Sequence, residues 1–299
     1  MEFLSTFYNL IPITLAQGLL YAFVAMGVLI PFRILNVPDM TAEGSFPLGG
    51  CVVATLTTAG LHPVFGTLLA CAAGFAVGAV TALIHLKLRV HSLLAGILTI
   101  TMLWSVNLRI MGRPNTPLFG LPNLFDWISP AILTSLRLQC LLFFALLLGV
   151  TLLLWWALHT DLGLAMRGVG ANSQLAPALG IDSTRFVVVG IGLANAITAT
   201  AGALLAQSQG YADVGMGFGM LVNGLASVII GEAITGRATL LRQLLAPMVG
   251  AGAYYQLSSL ALSMGLAPSD LKFVTGAFVL VTIGWPVLFG RRRTGAILG

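Results

Sequence analysis

The chain has 299 residues, of which 58% are hydrophobic and only 8% are charged. Soluble globular domains carry roughly 25% charged residues, so this composition excludes a soluble fold and indicates an all-α polytopic membrane protein. The formal charge of +5 does not indicate nucleic-acid binding, because basic residues in such a chain carry information on membrane orientation. The cysteines and histidines show no metal-binding spacing, so neither a metal nor a cofactor is predicted.

About nine apolar segments, within a range of eight to ten, are candidates for membrane-spanning helices because a span needs roughly 20 mostly apolar residues. In chain order they are residues 10–31, 44–60, 63–86, 92–111, 139–158, 186–207, 220–235, 243–263 and 271–289. The second and seventh are short and rich in glycine, which predicts that some spans are broken helices.

The basic residues predict the orientation of these spans. If the C-terminal arginines are cytoplasmic, the cytoplasmic side holds ten basic residues and the external side holds four. The cytoplasmic set is Arg33, Lys87, Arg89, Arg167, Arg185, Arg237, Arg242, Arg291, Arg292 and Arg293, and the external set is Arg109, Arg113, Arg137 and Lys272. We therefore expect an external N-terminus and a cytoplasmic C-terminus.

A polar stretch, residues 36–48, follows the first segment and overlaps the start of the second. Pro38, Gly44 and Pro47 predict that this stretch is not helical. Non-helical backbone at membrane depth is tolerated only where it lines a cavity or is buried in protein, and ionisable residues at that depth mark functional sites. The translocation-path candidates are Asn36, Asp39, Thr41, Glu43 and Ser45. The alternative, which the pattern leaves equally open, is that the two acids cap helices just outside the bilayer, with Glu43 near Arg33.

Two stretches on the predicted external side are also polar. Residues 113–130 contain four prolines, which argue against a regular helix. This stretch could serve as a lid, as a receptor-contact surface or as a plain interfacial connector. Residues 207–219 are polar and rich in glycine and suggest a weak internal repeat of the 36–48 stretch. Glu232 is expected at the cytoplasmic interface rather than in a translocation path.

The longest polar interruption between apolar segments is residues 161–185. Gly163 and the Gly168–Gly170 run predict turns, and Asn172 is a good N-cap for a short helix that Gly180 closes. Apolar side chains in this stretch would be poorly solvated unless another protein covered them. The alternative is a connector that folds against its own spans.

Several motifs resemble one family. The run GLAMRGVGANSQLAPALGIDSTRF, residues 163–186, resembles the cytoplasmic coupling segment of ABC importer permeases of the branched-chain amino-acid and ribose type. Three further stretches resemble the same family in the same order: ILNVPDMTAEGSFPLGG (34–50), RIMGRPN (109–115) and ASVIIGEAITGRA (226–238). The RIMGRPN match is similar to the start of the external loop in a subgroup assigned to aromatic amino-acid or uncharacterised uptake systems.

The resemblance implies that residues 1–299 form a single permease domain in the bacterial plasma membrane. It implies a homodimer that works with cytoplasmic ATPase subunits and with a periplasmic or lipoprotein solute-binding protein. The implied ATPase-coupling residues are Arg167, Gly170, Asn172, Leu175, Ala176 and Gly180. Pro177 departs from the family pattern, in which this position more often holds a polar helix former. A proline there is expected to shorten or kink the coupling helix.

The chain lacks the GxxxxGK[ST] loop that cradles ATP phosphates, so ATP hydrolysis is expected from a separate ATPase subunit. The resemblance favours an amino acid as substrate, with aromatic ones slightly preferred over sugars and nucleosides. The competing hypothesis is a stand-alone ion-coupled secondary transporter, in which buried acids bind the coupling ion. Only Asp39, Glu43 and Asp213 are placed to serve it. A polytopic membrane enzyme is a third possibility, against which the scattered histidines and few acidic residues argue.

Overall fold

The computed structural model describes residues 2–128 and 135–265, together with a few single positions between 270 and 281. Helix α1, Glu2–Leu29, continues into a π-helical turn, Ile30–Ile34. The remaining elements are α2 Ala42–Thr58, α3 Pro63–Leu88, α4 Ser92–Met111, β1 Asn115–Pro117, α5 Leu124–Ile128, α6 Leu136–His159, α7 Asp161–Ala171, a 3-10 turn Ala176–Leu179, α8 Ser183–Gln209, β2 Tyr211–Asp213, a 3-10 turn Val214–Gly217, α9 Met220–Thr235 and α10 Leu240–Ser263.

Six helical segments of the described residues are long and apolar enough to cross a membrane, which confirms an all-α polytopic membrane protein. Each of the first eight predicted segments falls on a helix, two of them on α2 and α10, which lie outside that set of six. The ninth, residues 271–289, lies for the most part outside the described residues. The count of about nine spans therefore stays a prediction.

Helices α1 and α8 form the centre of the bundle. The most apolar stretches of α1 and α8 are 78% and 72% buried, whereas those of α3, α4 and α6 are 28% buried. Helix α8 packs most extensively against α3, then against α2 and α1. Gly202 lies against the carbonyl of Phe46, and Gly49 lies against the carbonyl of Ala199, so neither position has room for a Cβ atom. Small residues of this kind let two helix backbones meet in lipid.

The two ends of the bundle hold different structures. At one end β1 pairs antiparallel with β2, with Thr116 opposite Ala212. The predicted external loop thus contains a strand, and it also contains the short helix α5, which the four prolines had argued against. Asn123 makes this helix possible, because its side-chain oxygen accepts hydrogen bonds from the backbone N–H groups of Phe125 and Asp126.

At the opposite end the structure corrects the turns predicted around Gly163 and the Gly168–Gly170 run. These glycines lie inside α7. Gly163 packs on the backbone of Leu158 in α6, and Gly170 packs on the carbonyl of Ile34. The glycines therefore serve close packing of a surface helix, and Thr160 caps its first turn by accepting a hydrogen bond from Gly163 N–H.

The prediction that Gly44 and Pro47 break any helix is also wrong, since both lie within α2. Pro47 lacks the N–H that would pair with the carbonyl of Glu43 in a regular helix. Gly217 packs directly on that carbonyl. The defect in α2 is thus covered by the 3-10 turn that precedes α9.

Candidate functional site

Asp39 is the centre of a buried polar cluster between the first and second spans. Its Oδ1 accepts hydrogen bonds from the backbone N–H of Thr41 at 3.0 Å and from the Thr41 hydroxyl at 2.6 Å. Its Oδ2 accepts a hydrogen bond from Asn195 Nδ2 at 2.8 Å. Asn195 Oδ1 in turn accepts from the Ser45 hydroxyl at 2.6 Å. Both carboxylate oxygens therefore have donors, as a buried charge requires.

Two threonines extend the cluster to the outer helices. The Thr41 hydroxyl oxygen lies 3.1 Å from that of Thr81 in α3, which lies 3.1 Å from that of Thr99 in α4. All these side chains are buried. We call Asp39, Thr41, Ser45, Thr81, Thr99 and Asn195 the Asp39 cluster. It joins four elements inside one protomer, and none of its members lines a described cavity.

The remaining two translocation-path candidates lie elsewhere. Asn36 is exposed, with a left-handed backbone φ of 54°. Glu43 is half-buried beside a small cavity lined by Trp104 and Phe218, and its carboxylate accepts hydrogen bonds from the backbone N–H groups that open α9. A carboxylate at that helix N-terminus is favourable, because it complements the helix dipole. The structure thus brings Asp39, Thr41 and Ser45 together and separates Asn36 and Glu43 from them.

The alternative that placed Glu43 near Arg33 is not what the structure shows, because Arg33 pairs with Glu232. Arg33 and Arg237 each place a terminal nitrogen 2.6 Å from Glu232 Oε2. The Glu232 side chain is 2% exposed. This cluster, which we call the Glu232 clamp, ties the π-helical end of α1 to the α9–α10 connection. No sequence spacing links Arg33 to a residue so far along the chain, so this ion pair could not be predicted from the sequence.

The 161–185 segment lies at the same end as the Glu232 clamp, where Gly170 rests on Ile34 beside Arg33. Asn172 Oδ1 accepts hydrogen bonds from the backbone N–H groups of Gln174 and Leu175, as an N-cap does. The helix that follows is a single 3-10 turn, and Gly180 ends it in the left-handed conformation. Pro177 lies at the start of that turn, where a backbone N–H has no partner in the turn.

The six coupling candidates differ in exposure. Asn172, Leu175 and Gly180 are exposed, whereas Ala176 is buried. Arg167 is half-buried, and its Nε has no hydrogen-bond partner among the described residues. The segment also exposes four leucines for more than half of their surface: Leu162, Leu164, Leu175 and Leu179.

An all-α bundle with membrane-spanning helices is an architecture that membrane transport proteins share with other membrane proteins. Among the residues described, no cluster of acidic, histidine and cysteine side chains is arranged to hold a metal ion. Residues 10–283 match the family described as the branched-chain amino acid transport system permease component. The chain belongs to this family and is a multi-pass permease subunit of ABC type for a small solute.

The curated relatives agree with this assignment. The chain is 39% identical over 267 residues to the tyrosine transport system permease protein of Clostridioides difficile, covering 89% of this chain and 88% of the relative. It is 30% identical over 285 residues to an uncharacterised protein of Rickettsia prowazekii, covering 92% and 97%. It is 24% identical over 224 residues to the ribose import permease protein of Escherichia coli K12, covering 73% and 67%. No solved structure matches.

Proposed function

We propose that the chain is the permease subunit of an ATP-driven importer for an amino acid, with aromatic amino acids favoured. The substrate rests on the tyrosine transport permease, which is similar over nearly the whole chain. Residues 1–299 act as one permease domain that pairs with a second copy. An external solute-binding protein delivers the amino acid, and a separate cytoplasmic ATPase supplies the energy.

The observation that carries this proposal is the exposed apolar surface of the 161–185 segment. Leu164, Leu175 and Leu179 present their side chains to solvent on an element too polar to lie in a bilayer. Exposed apolar side chains on such a polar element are the kind of surface that a partner protein covers. The segment is held firmly from behind by the contacts of Gly163 with α6 and of Gly170 with the end of α1. We assign it to the docking of the ATPase.

The charges of the same end support a cytoplasmic location. Arg33, Arg167, Arg185 and Arg237 all lie there, and cytoplasmic loops carry an excess of basic residues. With this orientation the N-terminus is external, the C-terminus is cytoplasmic, and the β1–β2 end faces the solute-binding protein. Closure of two ATPases would then push on α7, and the bundle would respond by rigid-body movement.

Co-purification of the permease with its ATPase tests the docking surface. The double variant Leu175→Ala with Leu179→Ala removes two exposed anchors and should weaken binding at least tenfold, about 1.4 kcal/mol. The matched control is Leu61→Ala, since Leu61 is also exposed but lies at the opposite end of the bundle. Equal binding by the double variant and the control would refute docking at this surface.

Uptake by proteoliposomes tests the substrate and the source of energy together. Vesicles with the permease, ATPase and solute-binding protein should take up tyrosine only with internal ATP, and ribose should not compete. A stand-alone ion-coupled transporter would instead work without the ATPase in an ion gradient. The family match and the similarity to the tyrosine transport permease support the ATP-driven importer over this alternative.

A further inference from the structure

A lateral cleft with a volume of about 740 Å³ separates α6 from α8. The two helices make almost no contact with each other, whereas α7 packs against both and joins them at one end. Ile30 of α1 lies at the back of the cleft. The cleft is thus open along its side and closed at the end where α7 lies.

The depth of the cleft matches one leaflet of a bilayer. Its lining on α8 runs from Asp182 to Leu193. Eleven helical residues rise about 16 Å at 1.5 Å each. One leaflet contributes about 15 Å of a hydrocarbon core roughly 30 Å thick. The cleft therefore extends from the membrane interface to the middle of the bilayer.

Polar and apolar groups are segregated along this depth. Leu154, Val189 and Leu193 make the inner lining apolar, Trp156 and Phe186 lie nearer the α7 end, and the acidic and basic lining residues lie only at that end. No described group in the inner part could satisfy a buried polar ligand. An acyl chain suits this lining, because lipid tails need no hydrogen bonds and are as apolar as the side chains they touch.

The mouth of the cleft carries one acid and one base side by side. Arg185 Nε lies 2.9 Å from Asp182 Oδ2, and the Arg185 side chain is 83% exposed. Asp182 Oδ1 accepts hydrogen bonds from the backbone N–H groups of Thr184 and Arg185. The described residues provide no further acid within reach of the terminal guanidinium nitrogens of Arg185. These nitrogens remain available to bind a phosphate, for which a guanidinium is well suited.

We propose that the α6–α8 cleft binds a membrane phospholipid whose headgroup carries a phosphate and a primary ammonium, the chemistry of phosphatidylethanolamine. An acyl chain fills the cleft, the phosphate accepts hydrogen bonds from Arg185, and the ammonium reaches the carboxylate of Asp182. The adjacent opposite charges favour this zwitterionic headgroup over a purely anionic one. The lipid contacts Leu162 and Met166 of α7 and so supports that helix from behind. The site does not depend on the solute, but it shares Gly180, Asp182 and Arg185 with the 161–185 segment assigned to ATPase docking, so the test uses the permease without its ATPase.

Trp156 provides the test, because it lines the cleft and is 64% exposed. In a variant that keeps Trp156 and replaces the other four tryptophans with phenylalanine, brominated acyl chains quench only this residue. The matched control keeps Trp104 instead, which is exposed on α4 away from the cleft. Both proteins are reconstituted in mixtures of brominated phosphatidylcholine and unbrominated phosphatidylethanolamine.

We expect phosphatidylethanolamine to reduce the quenching of Trp156 as much as if its concentration in the cleft were threefold or more above its mole fraction in the bilayer. The quenching of Trp104 should follow the mole fraction. With the bromine placed on phosphatidylethanolamine, quenching of Trp156 should exceed the mole fraction by the same factor. Arg185→Ala should abolish the enrichment, whereas Arg89→Ala, an exposed arginine at the same end, should preserve it.

Two results would overturn the proposal. If Trp156 follows the mole fraction in both labelling schemes, the cleft does not select this headgroup. If brominated lipid leaves Trp156 unquenched, another protein surface, such as a second copy of the chain, fills the cleft. The two labelling schemes need no variant at the headgroup site, so the result stands even if Arg185→Ala fails to fold.

Discussion

The Glu232 clamp predicts a measurable, non-additive effect on stability. Two arginines share one carboxylate oxygen, since Arg33 and Arg237 both lie 2.6 Å from Glu232 Oε2. The perturbations are Arg33→Ala, Arg237→Ala and the two changes combined. Each single variant leaves the carboxylate with one cation, whereas the double variant leaves it with none among the described residues.

The exposure of each group sets the magnitude. The Glu232 side chain is 2% exposed, and those of Arg33 and Arg237 are 34% and 58% exposed. Breaking a buried ion pair by removing one partner costs about 3–5 kcal/mol, and exposed pairs contribute about 0.2–1 kcal/mol. We expect about 1–2 kcal/mol for Arg33→Ala and less for Arg237→Ala, because the second arginine compensates and water screens both. The double variant should lose about 3–5 kcal/mol.

Unfolding in mixed detergent micelles with increasing dodecyl sulfate measures these free energies. The same arginine substitutions in a Glu232→Gln background complete a double-mutant cycle. In that background each arginine substitution should lower the free energy of unfolding by less than about 1 kcal/mol. Arg242→Ala is the control, because Arg242 lies at the same end but forms no described ion pair. A double variant whose loss equals the sum of the two single losses would refute the shared-carboxylate argument.

Three further predictions test the packing, each by unfolding or cross-linking. Asn195→Ala removes donor and acceptor from the Asp39 cluster and should cost about 2–4 kcal/mol in the same unfolding assay, where a loss below 1 kcal/mol would contradict the network. Gly202→Ala should cost about 1–3 kcal/mol because its Cβ meets the backbone of α2, whereas Gly149→Ala, with open space, should change stability by less than about 0.5 kcal/mol. In a cysteine-free background, Thr116→Cys with Ala212→Cys should form a disulfide because the two positions pair in the β1–β2 ladder, and failure under mild oxidation would refute that register.

Hydropathy alone located the long apolar helices, because within a single membrane span only a helix satisfies its own backbone hydrogen-bonding groups. It could not foresee how glycines would be used. Gly163 and Gly170 read locally as turn residues, yet both lie in α7, where they pack on the backbone of α6 and on Ile34. Local propensity is weak beside such tertiary contacts. The N-cap of Asn172 was predictable, because it involves only the next three residues.

The site shows the same division between local and distant information. Asp39, Thr41 and Ser45 stood out in the sequence as polar residues beside apolar segments. Their partner Asn195 did not, because it lies 156 residues away from Asp39 on the central helix. One available signal was an asparagine in the middle of the apolar segment 186–207, since a polar amide in a span needs a hydrogen-bond partner. Pairing it with Asp39 required the fold.

These contacts form one continuous path across the end of the bundle where α7 lies. The 161–185 segment rests through Gly170 on Ile34, and the adjacent Arg33 holds Glu232 at the end of α9. A buried carboxylate resists separation from its arginines more strongly than apolar surfaces resist sliding, because the separated charge has no water. A push on α7 would therefore move the end of α1 and the α9–α10 connection together. Leu162 and Met166 of α7 and Ile30 of α1 all line the α6–α8 cleft, so an acyl chain there would support α7 and the end of α1 as they move together.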